Sequence, residues 1–118
     1  MKLIISCLFI VVIGSCSNNK IPNGILPIQK MEKIIKDLVQ VDEYLIQNVK
    51  TDTVLDVKLK RSIYYQQVFN LYKTSRKEFY YSYQYYQQHP NFHKAIFDTL
   101  AQRFTREKMD TSSVKYLK

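Results

Sequence analysis

The chain contains 118 residues with 18 basic and 10 acidic side chains, which give a net charge of +8. A chain of this length folds around one small core, so a second domain is excluded. The excess of basic residues favours anionic partners.

The first sixteen residues have the pattern of a bacterial lipoprotein signal peptide. Lys2 supplies a positive charge, and the apolar run from Leu3 to Ile13 is too short to span a membrane. The tetrad Ile13-Gly14-Ser15-Cys16 follows, in which small residues precede a cysteine. This is the lipobox pattern. We therefore predict cleavage after residue 15 and attachment of diacylglycerol and a further acyl chain, such as palmitate, to Cys16.

Cleavage would leave 103 residues and lower the net charge to +7, because Lys2 is the one charged residue removed. Cys7 would leave with the signal and Cys16 would carry lipid, so we expect no disulfide. Export also argues against nucleic acid as a partner. Phospholipid headgroups and acidic glycans are the expected anionic partners, although the charge could simply keep the domain soluble.

Residues 16–24 are predicted to form a polar tether, and an amphipathic helix is predicted to follow it. Pro27 suits a first helical turn. Apolar side chains then recur at steps of three and four residues, which predicts one buried stripe: Met31, Ile34, Ile35, Leu38, Val41 and Leu45. Thr51, Asp52 or Thr53 is the expected cap of a second helix. Its predicted inner side contains Val57, Arg61, Tyr64, Val68 and Leu71.

A third helix is predicted to begin near Arg76, because Ser75 and Glu78 have the spacing of a capping box. Its inner stripe is Phe79, Ser82, Tyr83 and Tyr86. Pro90 should open a fourth helix with the apolar side chains Phe92, Ile96, Phe97, Leu100 and Phe104. We expect this helix to end near Lys108, before a frayed polar tail over residues 109–118.

These patterns predict an all-α fold, a small bundle of about four amphipathic helices over residues 25–108. No stretch alternates apolar and polar residues over the length of a strand. Each predicted helix would expose its apolar stripe if it stood alone. The stripes must therefore pack against one another.

Eight of the tyrosines lie within residues 64–86, and they cannot all point inward. On the third helix the tyrosines off the Phe79 stripe, together with basic residues one turn earlier, predict an exposed partner-binding patch. Its members are Arg76, Lys77, Tyr80, Tyr81 and Tyr85. The alternative is that the rings of these tyrosines pack in the small core and only their hydroxyl groups reach solvent.

Asp42 is the predicted buried polar residue, because it lies on the first helix's apolar stripe between Leu38 and Leu45. Tyrosine hydroxyls of the third helix, or a guanidinium such as that of Arg103, could supply its partners. Asp37 lies one position off the stripe and is expected at the surface.

The sequence predicts no metal site, no cofactor and no enzymatic activity. His89 and His93 are four residues apart, a spacing used for zinc, but Pro90 lies between them and no third ligand is suitably spaced. The sequence also lacks the common nucleophile and phosphate-binding motifs.

The sequence resembles the lipoproteins of the domain of unknown function family 4296, which occur chiefly in Bacteroidota. An ordered series of motifs carries the resemblance: Ile25-Leu26-Pro27, Lys30-Met31, Asp37-Leu38, Tyr65, Val68-Phe69, Tyr72, Ser75, Phe79, Ser82, Tyr85-Tyr86, Pro90 and Ile96-Phe97-Asp98. Val39 stands where a histidine is expected, and Phe97 where a tyrosine is usual. The resemblance implies a small, helical, envelope-anchored protein with no assigned activity.

The leading functional hypothesis is a non-enzymatic binding or accessory module that uses the tyrosine-rich helix to contact an envelope protein or acidic glycan. A chaperone-like holder of envelope proteins is the alternative, and an enzyme acting on lipids or glycans is a third possibility. The segment Ser17-Asn18-Asn19-Lys20 lacks the acidic residues typical of surface export in these bacteria. We therefore expect the periplasmic face of the outer membrane.

Overall fold

The computed structural model describes residues 20–48 and 53–115. The expected signal peptide, Cys16 and two of the candidate caps, Thr51 and Asp52, lie outside the described residues. Four helices follow one another: α1 (Ile28–Asn48), α2 (Val54–Leu71), α3 (Arg76–Gln87) and α4 (Pro90–Lys115). The described residues contain no strand. The predicted all-α bundle is therefore confirmed.

Two capping boxes set where α2 and α3 begin. The Thr53 side chain accepts a hydrogen bond from the Asp56 backbone N–H, and Asp56 in turn accepts from the Thr53 backbone N–H. Ser75 and Glu78 make the same reciprocal pair at α3, as predicted. Each box satisfies donors that the first turn of a helix leaves without partners.

The chain leaves α2 through a residue in the left-handed region. Lys73 has φ = 49°. The Lys73 N–H donates to the Asn70 carbonyl and the Thr74 N–H to the Phe69 carbonyl, both at 3.0 Å. These are the two hydrogen bonds of a Schellman motif, in which glycine is the usual left-handed residue.

Contacts between side chains establish the helix directions. The Tyr72 hydroxyl donates to Asp37 at 2.7 Å, and the Tyr65 hydroxyl donates to Asp42 at 2.8 Å. Later residues of α2 therefore lie beside earlier residues of α1, so the two helices are antiparallel. On α4 the order is the reverse: Arg103 contacts Glu32, and Glu107 pairs with Lys36. Helix α4 consequently runs parallel to α1.

One hydrophobic core joins all four helices. Its buried members are Met31, Ile34, Ile35, Leu38, Val68, Phe69, Phe79, Tyr86, Ile96 and Leu100. The predicted stripes of α1 and α3 are largely confirmed, since Val41 and Tyr83 are half-buried and the other members are buried.

Three expectations about the later helices are wrong. Phe97, predicted on the inner face of the fourth helix, is 38% exposed. In α2 the side that faces the core contains Phe69, which is fully buried. Leu71, which was predicted to face inward, is 70% exposed. Helix α4 does not end near Lys108 but continues to Lys115.

The segment before α1 is held against α3 through both backbone groups of Leu26. The Leu26 N–H donates to the Ser82 hydroxyl oxygen at 2.8 Å, and the Tyr86 hydroxyl donates to the Leu26 carbonyl at 2.7 Å. Upstream, the Ile25 N–H donates to the Pro22 carbonyl across a turn in which Gly24 has φ = 88°, a conformation that favours glycine. These contacts make the segment part of the fold.

Candidate functional site

A cavity of about 180 Å³ lies where α1, α2 and α3 meet. Three tyrosines and a carboxylate share its lining with apolar side chains. We name this cavity the tyrosine groove; its lining residues are Ile35, Leu38, Val39, Asp42, Tyr65, Phe79, Tyr80 and Tyr83. The groove combines aromatic contact area with a polar end, as many ligand and partner sites do.

The polar end of the groove is Asp42 with two partners from α2. Arg61 Nε donates to Asp42 Oδ1 at 2.9 Å, and the Tyr65 hydroxyl donates to Asp42 Oδ2 at 2.8 Å. The expectation that Asp42 is buried is wrong, because its side chain is 38% exposed. The expected kinds of partner, a tyrosine hydroxyl and a guanidinium, are confirmed, but both come from α2 and not from α3 or Arg103. The antiparallel pairing of α1 with α2 selects these partners, and one helix's periodicity carries no information about that pairing.

The Tyr65 hydroxyl is a stable hydrogen-bond donor in this arrangement. Burial, and then its hydrogen bond to Asp42, raise the pKa of Tyr65 to about 12. The phenol therefore stays protonated at neutral pH and orients the carboxylate. At the groove, the Asp42 carboxylate is thus paired with Arg61 and held in position by Tyr65.

A row of aromatic rings forms one wall of the groove and continues onto α4. Phe79 stacks on Tyr83 at 6.0 Å between ring centroids, Tyr83 lies 6.5 Å from His93, and His93 lies 4.6 Å from Phe97. On the other side Phe79 packs against Phe69 at 5.2 Å. Contacts of this kind hold each ring in position, so the wall is preorganised.

The predicted patch on α3 divides between two sides of the helix. Arg76 and Tyr80 lie on the side of α2. Arg76 Nη2 donates to the Ser62 hydroxyl at 3.2 Å, and its guanidinium lies 6.0 Å from the Phe69 ring centroid. Tyr80 contacts Phe69 edge-on and remains 46% exposed at the rim of the groove.

The other predicted residues lie away from the groove. Lys77 and Tyr81 are exposed, Tyr81 by 63%. Tyr85 was expected to be exposed, and this is wrong: it is half-buried, stacked on His89 at 4.1 Å and edge-on to Tyr86. Tyr80 and Tyr85 are about 140° apart around a helix of 3.6 residues per turn. The five residues therefore do not form one patch.

The sequence reasoning missed the most buried acidic side chain among the described residues, Glu32. It is 6% exposed, and Arg103 Nη2 lies 3.5 Å from its carboxylate. The sequence pattern that singles out Asp42 also applies to Glu32, because Glu32 lies on the same apolar stripe, between Ile28 and Ile35. This pattern could have predicted the burial of Glu32. Arg103, considered above as a possible partner of Asp42, pairs with Glu32 instead.

Asp37 and His89 are also engaged in contacts within the fold. Asp37, expected at the surface, is half-buried and accepts a hydrogen bond from Tyr72, whose pKa is raised to about 12 by burial and then by this bond. His89 Nδ1 lies 2.7 Å from the Tyr85 carbonyl oxygen. Across residues 20–48 and 53–115, no group of three or more His, Cys, Asp or Glu side chains is arranged to hold a metal ion.

No helix within the described ranges is both long enough and apolar enough to cross a membrane. A second open cavity, of about 560 Å³, lies between α1 and α2. It is lined by Asp37, Gln40, Val41, Tyr44, Tyr64 and Val68.

Comparisons with curated proteins and with solved structures find no match. The family described as Domain of unknown function (DUF4296) matches residues 22–110, a range that includes the Leu26 contacts, the tyrosine groove and most of α4. Val39 and Phe97, the two positions noted as departures from the expected family pattern, lie in the groove and at the end of the aromatic row. The match covers well over half of the chain, which therefore belongs to the DUF4296 family.

Proposed function

We propose that this protein is a lipoprotein of the bacterial envelope whose helical domain is a non-enzymatic binding module. The tyrosine groove is the proposed contact surface for an envelope protein or an acidic glycan. The observation that carries the proposal is the exposed rim residue Tyr80 beside the paired Asp42 and Arg61. An aromatic side chain next to fixed polar groups supplies both contact area and orientation for a partner.

The proposed anchor is lipid on Cys16. Two or more acyl chains give stable membrane attachment, and no other anchor is required. Because Ser17-Asn18-Asn19-Lys20 contains no acidic residue, we place the anchor in the periplasmic face of the outer membrane.

The Leu26 contacts limit how far the domain can move from such an anchor. Leu26 follows Cys16 by ten positions in the chain. Even a fully extended chain of that length spans at most about 35 Å. A partner of the tyrosine groove would therefore lie near the membrane surface.

Replacing Cys16 tests the anchor. Cys16→Ser should move the protein from the membrane fraction to the carbonate-soluble fraction of the envelope, since the acceptor thiol is gone. Retention of this variant in membranes after a carbonate wash would contradict the lipid anchor.

Adjacent tyrosines of α3 provide a matched test of the groove. Tyr80→Ser should reduce recovery of crosslinked envelope partners, whereas Tyr81→Ser should not, because Tyr81 lies outside the groove lining. Tyr80→Phe should keep most of the recovery if the ring supplies the contact. Thermal melts of all three variants control for folding. Equal loss of partner for Tyr80→Ser and Tyr81→Ser would remove the groove from the proposal.

The alternative function is a chaperone-like holder of envelope proteins. The observation in its favour is the open cavity between α1 and α2, where Val41, Tyr44 and Tyr64 offer apolar surface. A holder should suppress aggregation of an unfolded outer-membrane protein, and Tyr64→Ser should weaken that effect. Aggregation that is unchanged by the wild-type protein would exclude this alternative.

A further inference from the structure

Helix α2 has two apolar faces, and only one of them is buried in the core. Val68 and Phe69 are buried. Elsewhere around the helix Leu55, Leu59 and Ile63 follow one another at steps of four residues, and they are 75%, 61% and 49% exposed. Side chains at this spacing lie along one line on a helix. We name these three residues the outer stripe.

Positive charges flank the outer stripe on both sides. Lys58 and Lys60 immediately precede and follow Leu59, so each lies about 100° around the helix from it. Both lysines are exposed. Asp56 lies close to Lys60: its hydrogen bonds from Thr53 in the cap of α2, and to a smaller extent the charge of Lys60, lower the pKa of the Asp56 carboxyl. The outer stripe is thus an apolar line flanked by two lysines, of which Lys60 lies close to a carboxylate.

We propose that the outer stripe of α2 docks on an anionic phospholipid surface, with its aliphatic side chains among the headgroups and its lysines on lipid phosphates. A helix that lies in a membrane interface has this distribution of aliphatic and lysine side chains. Each lysine near an anionic surface contributes attraction equivalent to about a fivefold gain in partitioning.

The composition of the outer stripe favours lipid over a protein partner. Protein interfaces are enriched in aromatic residues and arginine and depleted of lysine, and leucine is uncommon among their hot spots. A second copy of the chain docked stripe to stripe would also bring the lysines of one copy near those of the other. Like charges in that arrangement oppose association.

Docking in this way leaves the tyrosine groove accessible. Tyr65, which lines the groove, follows Leu59 by six residues and so lies about 120° around α2 from it. The bilayer would contact one side of α2, and the groove would open on another. The inference therefore adds an orientation to the proposed function, and it rests on the lipid anchor for its proximity to a bilayer.

The test uses the full mature chain reconstituted in vesicles of neutral lipid or of neutral lipid mixed with anionic phosphatidylglycerol. Leu59→Cys introduces a thiol for an environment-sensitive fluorophore, and Tyr81→Cys is the control, since Leu59 and Tyr81 are 61% and 63% exposed. With anionic vesicles, the label at position 59 should shift to the blue and become several-fold less accessible to an aqueous quencher. The label at position 81 should not change, and added salt should reduce the shift.

Other outcomes identify what is wrong. A label at position 59 that is unchanged by anionic vesicles would overturn the docking. A shift that grows with protein concentration without vesicles would assign the stripe to a second copy, and protection found only in intact envelopes would assign it to a protein partner. Labelling of the chain without an introduced cysteine would show a free Cys16 and contradict the anchor. In that case a chain that carries both Cys16→Ser and Leu59→Cys, mixed with anionic vesicles, tests position 59 without a second labelled thiol.

Discussion

The two ends of α1 differ in how completely they are covered. Around its first half, α3, α4 and the segment before α1 surround a closed end in which Met31, Ile34 and Ile35 are buried. At its second half Leu45 is buried, but Tyr44 and Ile46 are 52% and 74% exposed. The N-terminal half of α2 completes this open end and exposes the outer stripe.

This difference indicates how a small chain divides its apolar residues. A domain of this size buries a limited fraction of its surface, so its stability depends on a few well-covered side chains. Apolar residues outside that core are available for a partner or a bilayer. The closed end therefore accounts for folding, and the open end together with the tyrosine groove accounts for the proposed contacts.

The largest expected effect compares the two faces of α2. Phe69→Ala should lower the free energy of unfolding by about 3–5 kcal/mol, because it removes a fully buried ring. Leu59→Ala, on the outer stripe, should change it by about 0.5 kcal/mol or less. Denaturant melts measure both values. Similar losses for the two variants would mean that the outer stripe is covered within the folded chain.

The contacts of Leu26 should come next in size. Ser82→Ala removes the acceptor of the Leu26 N–H, and Tyr86→Phe removes the donor to its carbonyl. Each change should lower the free energy of unfolding by about 1–3 kcal/mol, because it leaves a backbone group without its partner. Hydrogen exchange at the Leu26 amide should accelerate in Ser82→Ala. Unchanged exchange there would show that the segment before α1 is not held by α3.

Alkaline pH should destabilise the fold through three tyrosines. Burial is the main cause that raises the pKa of Tyr65, Tyr72 and Tyr86 to about 12. In the unfolded chain tyrosine ionises near pH 10, so protons leave the unfolded state first and stability falls between about pH 10 and 12. Melts across this range measure the decline, and Tyr72→Phe should make it shallower. Stability that stays constant to pH 12 would contradict the burial of these hydroxyls.

A small gain is expected at the end of α2. Lys73 has a left-handed backbone, which costs an L-residue about 1 kcal/mol relative to glycine. Lys73→Gly should therefore raise the free energy of unfolding by up to about that amount. Lys77→Gly, within the exposed face of α3, is the control and should lower it by about 1 kcal/mol. A loss of stability in both variants would contradict the Schellman motif.

Local signals predicted much of the fold. The stripe of α1 and the capping box of Ser75 and Glu78 depend on neighbours within a few residues, so the sequence alone identifies them. Helix α2 was harder because apolar residues lie on two sides of it. Its periodicity is therefore compatible with either side facing inward, and the fold, not the helix, selects Phe69 over Leu71.

The candidate site was predicted less well because it is assembled across helices. The partners of Asp42 come from residues 19 and 23 positions away, and the pairing depends on how α2 lies against α1. The angular position of Tyr85 around α3, away from the Phe79 stripe, predicts an exposed side chain. His89, in the turn after α3, stacks on the Tyr85 ring and covers it. Helical periodicity describes one helix at a time and cannot supply either contact.

Photocrosslinking in intact cells tests the central claim most directly. A photoreactive amino acid replaces Tyr80 at the rim of the tyrosine groove in one variant and Tyr81 outside the groove in another. The account predicts one recurrent crosslinked partner from position 80 and much weaker or no crosslinking from position 81, at equal protein levels. Equal crosslinking from both positions, or crosslinking from position 81 alone, would contradict the groove as the binding surface.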